Sequence, residues 1–197
     1  MKTAAVVALG LSAGIALGTL VPECGGDCRT APSAAARSSA SAKPTGPDYT
    51  NLVVPVADIS AVSPEPFSVG KPPSPTVGSP GAQASFTNST GARVINLNVF
   101  VLPDAAAAVN AMNATLGSVD SVVVGGDPQP ISVGDGGTLI AGTAPDNSKT
   151  VTVLAFTEGK ASVTLQFEGP PDDAVPVDFA TAVAQAQAVT INKNLPA

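Results

Sequence analysis

No histidine occurs among the 197 residues. The commonest general base at neutral pH, the commonest metal ligand and the usual triad member are therefore missing. Tryptophan is also absent, beside one tyrosine and six phenylalanines. Few large anchors exist for a stacking site or a tight interface. Charged residues make up 12% of the chain, about half the usual share. The formal net charge of −6 repels phosphate backbones and argues against a nucleic-acid partner. Cysteine is limited to Cys24 and Cys28. Both precede the folded region, so no disulfide can staple it, and a thiol-based metal site lacks further Cys or His ligands.

What is present begins with a leader. Met1-Lys2 is followed by an apolar run from Ala4 to Val21, interrupted only by Ser12 and Thr19 among polar residues. A positive start and a run of this length form an export signal, near the lower limit for spanning a bilayer. Cys24 follows in Leu20-Val21-Pro22-Glu23-Cys24-Gly25-Gly26. Three fates stay open: lipidation of Cys24, retention as a signal anchor, and cleavage further on, near Ala40-Ser41-Ala42. Lipidation is preferred, although Glu23 stands where such sites carry a small residue. Left over after lipidation, Cys28 would be a thiol available for intermolecular pairing. Residues 29–47 are mostly Ala, Ser, Pro, Thr and Gly without periodicity. Such a stretch cannot bury enough to offset its ordering entropy and reads as a flexible tether. The expected organisation is a leader over 1–23, a tether over 24–47 and one domain over 48–197.

Within that domain Leu52 to Ile59 reads as an extended piece entering one helical turn near Val56. Pro64 to Pro80 reads as a proline-rich surface loop. Ala84–Thr87 and Arg93–Val101 form a hairpin around Asn88-Ser89-Thr90-Gly91, because Ile95, Leu97, Val99 and Val101 alternate with Asn96 and Asn98. Asp104 is an N-cap for a helix whose apolar stripe is Ala105, Ala108, Val109, Met112 and Leu116, ended near Gly117. Strands are expected over 119–124, 131–133 and 138–142, with a turn at Gly125-Gly126-Asp127-Pro128. Thr150–Phe156 and Ala161–Phe167 flank Thr157-Glu158-Gly159-Lys160 as a second hairpin. Asp178 caps a last helix over 179–192, with Phe179, Ala182, Val183, Ala186 and Val189 as its stripe. This order gives an α+β fold: a mainly antiparallel sheet with two helices packed on it.

The chemical motifs lead to no catalytic set. Gly125-Gly126-Asp127 and Gly134-Asp135-Gly136-Gly137 lack the Lys and Ser/Thr of a phosphate loop and read as turns. Asp120, Asp127 and Asp135 match no calcium-loop spacing, and Asp172-Asp173 reads as surface. Without histidine a serine nucleophile would need a lysine, and Lys71, Lys149, Lys160 and Lys193 all read as solvated. Asn88-Ser89-Thr90 and Asn113-Ala114-Thr115 match an N-glycosylation pattern that carries little weight in a bacterial-looking chain. No cofactor is expected.

The Cys24 region with its tether, the segment Leu102-Pro103-Asp104-Ala105-Ala106-Ala107-Ala108 and the stretch from Val151 to Ala188 resemble the small exported lipoproteins and secreted antigens of mycobacteria. The element order resembles the Mog1/PsbP-like fold of the LpqN type. The resemblance implies a cell-envelope location and a binding or accessory role, and supplies no catalytic residue. The expectation is therefore a membrane-tethered, non-catalytic domain, on the outer face of the membrane and in part secreted. It would bind an envelope protein, lipid or glycolipid through its open sheet face or the loops 125–130 and 134–138. A second expectation is a lipid carrier with a cavity lined by Val, Leu and Phe between sheet and helices. A histidine-free hydrolase is a third.

Overall fold

The computed structural model describes residues 47–196. The leader, Cys24, Cys28 and the tether up to Gly46 lie outside them. The described part is α+β, and its strands form one seven-stranded sheet in which every pairing is antiparallel. A 3-10 turn (Thr50–Leu52) and a short helix α1 (Val56–Val62) precede β1 (Phe67–Pro75), β2 (Gly81–Asn88) and β3 (Val94–Val101). Helix α2 (Ala105–Leu116) follows, then a 3-10 turn (Val119–Ser121) and β4 (Gln129–Ile131). β5 (Gly136–Thr143), β6 (Thr150–Glu158), β7 (Ala161–Gly169) and helix α3 (Val177–Asn194) complete the order. In space the strands run β1-β2-β3-β7-β6-β5-β4, so the second hairpin lies beside the first.

The sheet has two unlike faces. Alternation puts Ile95, Leu97, Val99 and Val101 of β3 on the same side as Ala161, Val163, Leu165 and Phe167 of β7 and Leu154 and Phe156 of β6. These residues are buried under α3 and the 49–59 segment, and form the main core. Phe179 of α3 stacks on Phe67 at 5.8 Å and meets Phe167 edge-on at 6.0 Å. Among the described residues the opposite face is only half covered. Helix α2 lies across β6 and β7. The strand residues of that face there, Ala155, Thr157 and Ser162, are small and buried. Ala108 of α2 is buried too, and small groups on both sides let helix and sheet approach closely. A second apolar cluster, with Val119, Val123, Ile140, Ala144, Val151 and Val153, closes the end of this layer.

Several expectations hold. The second hairpin closes through Gly159-Lys160, with Glu158 opposite Ala161 and Gly159 at φ +55°, as a two-residue turn requires. Asp104 caps α2: the Ala107 N–H donates to its Oδ1 at 2.8 Å. Asp104→Ala should therefore lower stability by about 1 kcal/mol, with Asp104→Asn close to the parent, in urea denaturation.

Others are corrected. The proline-rich stretch is largely strand β1 rather than loop. An edge strand tolerates Pro72, Pro73 and Pro75 because its outer N–H groups have no sheet partner. The entry near Val56 extends to a seven-residue helix. Val119–Val124 is not a strand but a 3-10 turn and a crossing segment, touching the sheet at the Val124–Thr143 bridge. Val119 and Val123 are buried without a ladder, while Val124 stays exposed. The β4 strand lies at Gln129–Ile131, two residues earlier than expected. Pro176 occupies the N-cap position of α3, and Asp178 stands in the first turn. The helix stripes are also rotated. Val109 is 41% and Val189 67% exposed, while Ala180, Ala184, Gln187 and Ile191 of α3 are buried. The two long helices sit on opposite faces, which moves each contact stripe.

Candidate functional site

The uncovered half of the second face is built by register. Across β2, β3 and β7, Gln83, Asn98 and Thr164 stand opposite one another in one row. Ser85, Asn96 and Gln166 form the next row. Directly opposed residues share a face and lie about 5 Å apart. All six side chains are half-buried. Lys71 of β1 stands opposite Ser85. Lys71, Gln83, Ser85, Asn96 and Asn98 line a trough of about 230 Å³. Along β3 the same face continues to Phe100. It borders a cleft of about 550 Å³ with Tyr49, Pro80, Leu102, Ala111 and Lys160. Ser79 and Lys160 share this cleft without a hydrogen bond between them.

A second cleft, about 340 Å³, lies between the end of α2 and β5. Leu116, Val119, Val123 and Ile140 make it apolar, and Asp120 and Thr138 are its polar edge. The loop expected to bind supplies Gly125, Gly126 and Pro128 as its outer wall. That wall sits on the backbone of β5. Gly126 has φ +85°, and a Cβ there would fall 1.9 Å from the Ala141 carbonyl oxygen. Only glycine permits this approach.

The other residues singled out by sequence hold the fold together. The Gly159 N–H donates to Asp135 Oδ2 at 2.7 Å, tying the 134–136 loop to the second hairpin. That loop is braced rather than open. Asp120 faces the apolar cleft, apart from Asp135 on its hairpin contact. Among the described residues no three Asp, Glu, His or Cys side chains converge. Asp173 pairs with Arg93 at 2.6 Å and Lys149 with Glu168 at 2.6 Å. Gln166 Nε2 also donates to Glu168 Oε1 at 2.8 Å. Ser148, through its hydroxyl and then its N–H, holds the Asp146 carboxyl below the usual carboxylate range. Asn88 is buried, and its Nδ2 donates to Glu65 Oε2 at 2.5 Å and Thr90 Oγ1 at 2.9 Å. Its amide is engaged as a turn brace and is not offered for modification in the folded domain.

No family model matches the chain, and no curated protein matches it. Among solved structures, the extracellular domain of PknH from Mycobacterium tuberculosis is similar to it. The TM-score is 0.49 and the identity 12%, over 74% of this chain and 95% of that one. At this level of likeness no ligand, partner or residue role passes from one to the other. Sequence reading missed the two polar rows because they join strands that are distant in the chain. The one signal available was local: asparagine is depleted from strands, yet Asn96 and Asn98 occupy the middle of β3.

Proposed function

We propose that this chain is an exported, membrane-tethered domain of the cell envelope that acts by binding, without catalysis. The leader and Cys24 support export and tethering. No helix among the described residues is long and apolar enough to cross a membrane, so the anchor in this reading is the N-terminal segment. The likeness of the Cys24 region and tether to small exported lipoproteins of mycobacteria, and of the element order to the LpqN type, belongs to the same reading. The observation that carries binding is the half-covered sheet face. It presents ordered polar side chains on a rigid antiparallel scaffold, bounded by α2, with clefts at two corners. Rigid elements present a surface more accurately than loops do. The Asp104, Asp135, Glu168 and Asp173 carboxylates meanwhile have structural partners.

A second reading has its own observation. The cleft under Leu116 is apolar and large enough for part of an acyl chain. It lies between the sheet and α2, and its aliphatic wall lacks Phe. Between the sheet and α3, by contrast, the phenylalanines stack on one another in the main core.

The test uses the full chain recovered from membranes. Intact mass should show a diacylated Cys24 and loss of the first 23 residues. Immobilised in detergent and exposed to envelope extract, the protein should retain a defined component, sought separately among glycans, lipids and proteins. Retention of nothing in all three fractions contradicts the binding reading. A native chain recovered from the cytoplasm with its leader intact contradicts export.

A further inference from the structure

We propose that the uncovered half of the sheet binds a neutral polyhydroxylated chain, a saccharide polymer, laid across β2, β3 and β7. This rests on the binding reading above and names the chemistry of its ligand.

The first argument is a broken local rule. Asn96 and Asn98 sit in the middle of β3, between Ile95, Leu97 and Val99. Asparagine suits a strand poorly, and threonine would satisfy the same half-buried, outward positions better. The two amides are not repaid inside the fold. Among the described residues neither makes a side-chain hydrogen bond, although other Asn side chains, such as Asn88 and Asn194, do. A local preference set aside without an internal gain points to a role outside the fold.

The second argument is chemical. Amides and hydroxyls carry donors and acceptors together, without net charge. The rows Gln83–Asn98–Thr164 and Ser85–Asn96–Gln166 are made only of these groups. A sugar hydroxyl likewise donates and accepts, so a neutral polyol matches the array, in which Gln166 also holds Glu168. A polyanion does not. Lys71 is the cation lining the trough, and beside the rows Glu168 is an acid already held by Lys149 and Gln166. A protein partner is also a poor match, because stable interfaces centre on buried aromatic or aliphatic anchors. The rows contain none. The apolar element stands at one end, where Phe100 is in line with Asn98 and Asn96 along the strand. A phenyl ring there offers an apolar surface to the C–H face of a terminal sugar.

The third argument is shape. The trough at Asn96 and Asn98 runs over β2 and β3 beside Lys71 of β1, and the rows extend from it to Thr164 and Gln166 of β7. An extended chain can follow the rows beyond the trough, whereas a compact ligand would leave most of them unused.

The test is affinity electrophoresis of the full chain in detergent, through native gels containing a neutral galactan, an arabinan or an α-glucan. Heparin and phosphatidylglycerol vesicles serve as charged arms. At least one neutral polymer should retard the protein. The double variant Asn96→Thr/Asn98→Thr should bind it at least tenfold more weakly, with an unchanged or higher Tm. Three results overturn the proposal: no retardation by any neutral polymer, equal retardation of the variant, or a variant with a lower Tm. The last would make the asparagines structural. If an envelope lipid or protein is retained while every glycan gel is negative, this inference falls and the binding reading stands.

Discussion

A Phe179→Ala chain is expected to unfold with about 4 kcal/mol less free energy than the parent. Phe179 is 7% exposed and enters the core from the first turns of α3. Its ring stacks on Phe67 with an interplanar angle of 25° and meets Phe167 at 72°. The chain has six phenylalanines and no tryptophan, and most of the neighbouring core residues are Val, Leu, Ile or Ala. Such residues cannot spread to refill an aromatic-sized hole, so the cavity cost adds to the lost transfer energy. The offset contacts contribute about 1 kcal/mol of their own. Phe179→Leu keeps most of the volume and should lose roughly 1.5 kcal/mol. Urea denaturation measures both, and in a domain of this size the alanine variant should melt roughly 8–16 °C lower. A loss below about 1.5 kcal/mol for alanine would show that α3 can slide to close the gap.

Gln187→Ala is expected to lose about 3 kcal/mol. Gln187 is fully buried on α3, and one amide serves two backbone groups of the entering segment. The Val54 N–H donates to its Oε1 at 2.8 Å, and its Nε2 donates to the Leu52 carbonyl at 2.6 Å. Leu52 ends the first 3-10 turn, and Val53 and Val54 lead from it toward α1; all three are buried. They therefore have no ladder to supply partners, and the glutamine acts as one. Leaving a buried donor and acceptor unmet costs about 1–3 kcal/mol each. Gln187→Leu nearly preserves volume, so it isolates the polar part and should be almost as damaging as alanine. Hydrogen exchange at the Val54 amide should accelerate in both variants. A near-neutral leucine variant would show that the entering backbone finds other partners.

The sequence was legible where structure is local. The alternation in β3 and β7, the Gly159 turn and the Asp104 cap each depend on a few neighbouring residues, and each was placed within a residue or two. It was misleading where location in the fold decides. Pro72 and Pro73 argue against a strand unless that strand is at an edge, and edge position is a property of the whole sheet. Val119–Val124 is apolar because it lies over Ile140 and Val153, not because it pairs. Nothing local marks Gln187 as buried; its place follows only from the entering segment's need for an amide. The site shares this difficulty. Its rows join β2, β3 and β7, and only β2 and β3 are neighbours in sequence. The apolar cleft was partly readable, because its outer wall is the glycine loop at 125–126.

The prolines of the outer strands limit how this domain can be approached. At one end of the sheet β1 carries Pro72, Pro73 and Pro75, with register shifts on either side of Lys71. At the other, β4 is three residues long and centred on Pro130. Among the described residues each margin offers only a short run of N–H groups to template an added strand, Phe67–Lys71 on β1 being the longer. Recognition by strand donation is thereby disfavoured. Many copies can share a confined volume without zipping rim to rim, and whatever engages the molecule must come down onto a flat of the sheet or into its corners.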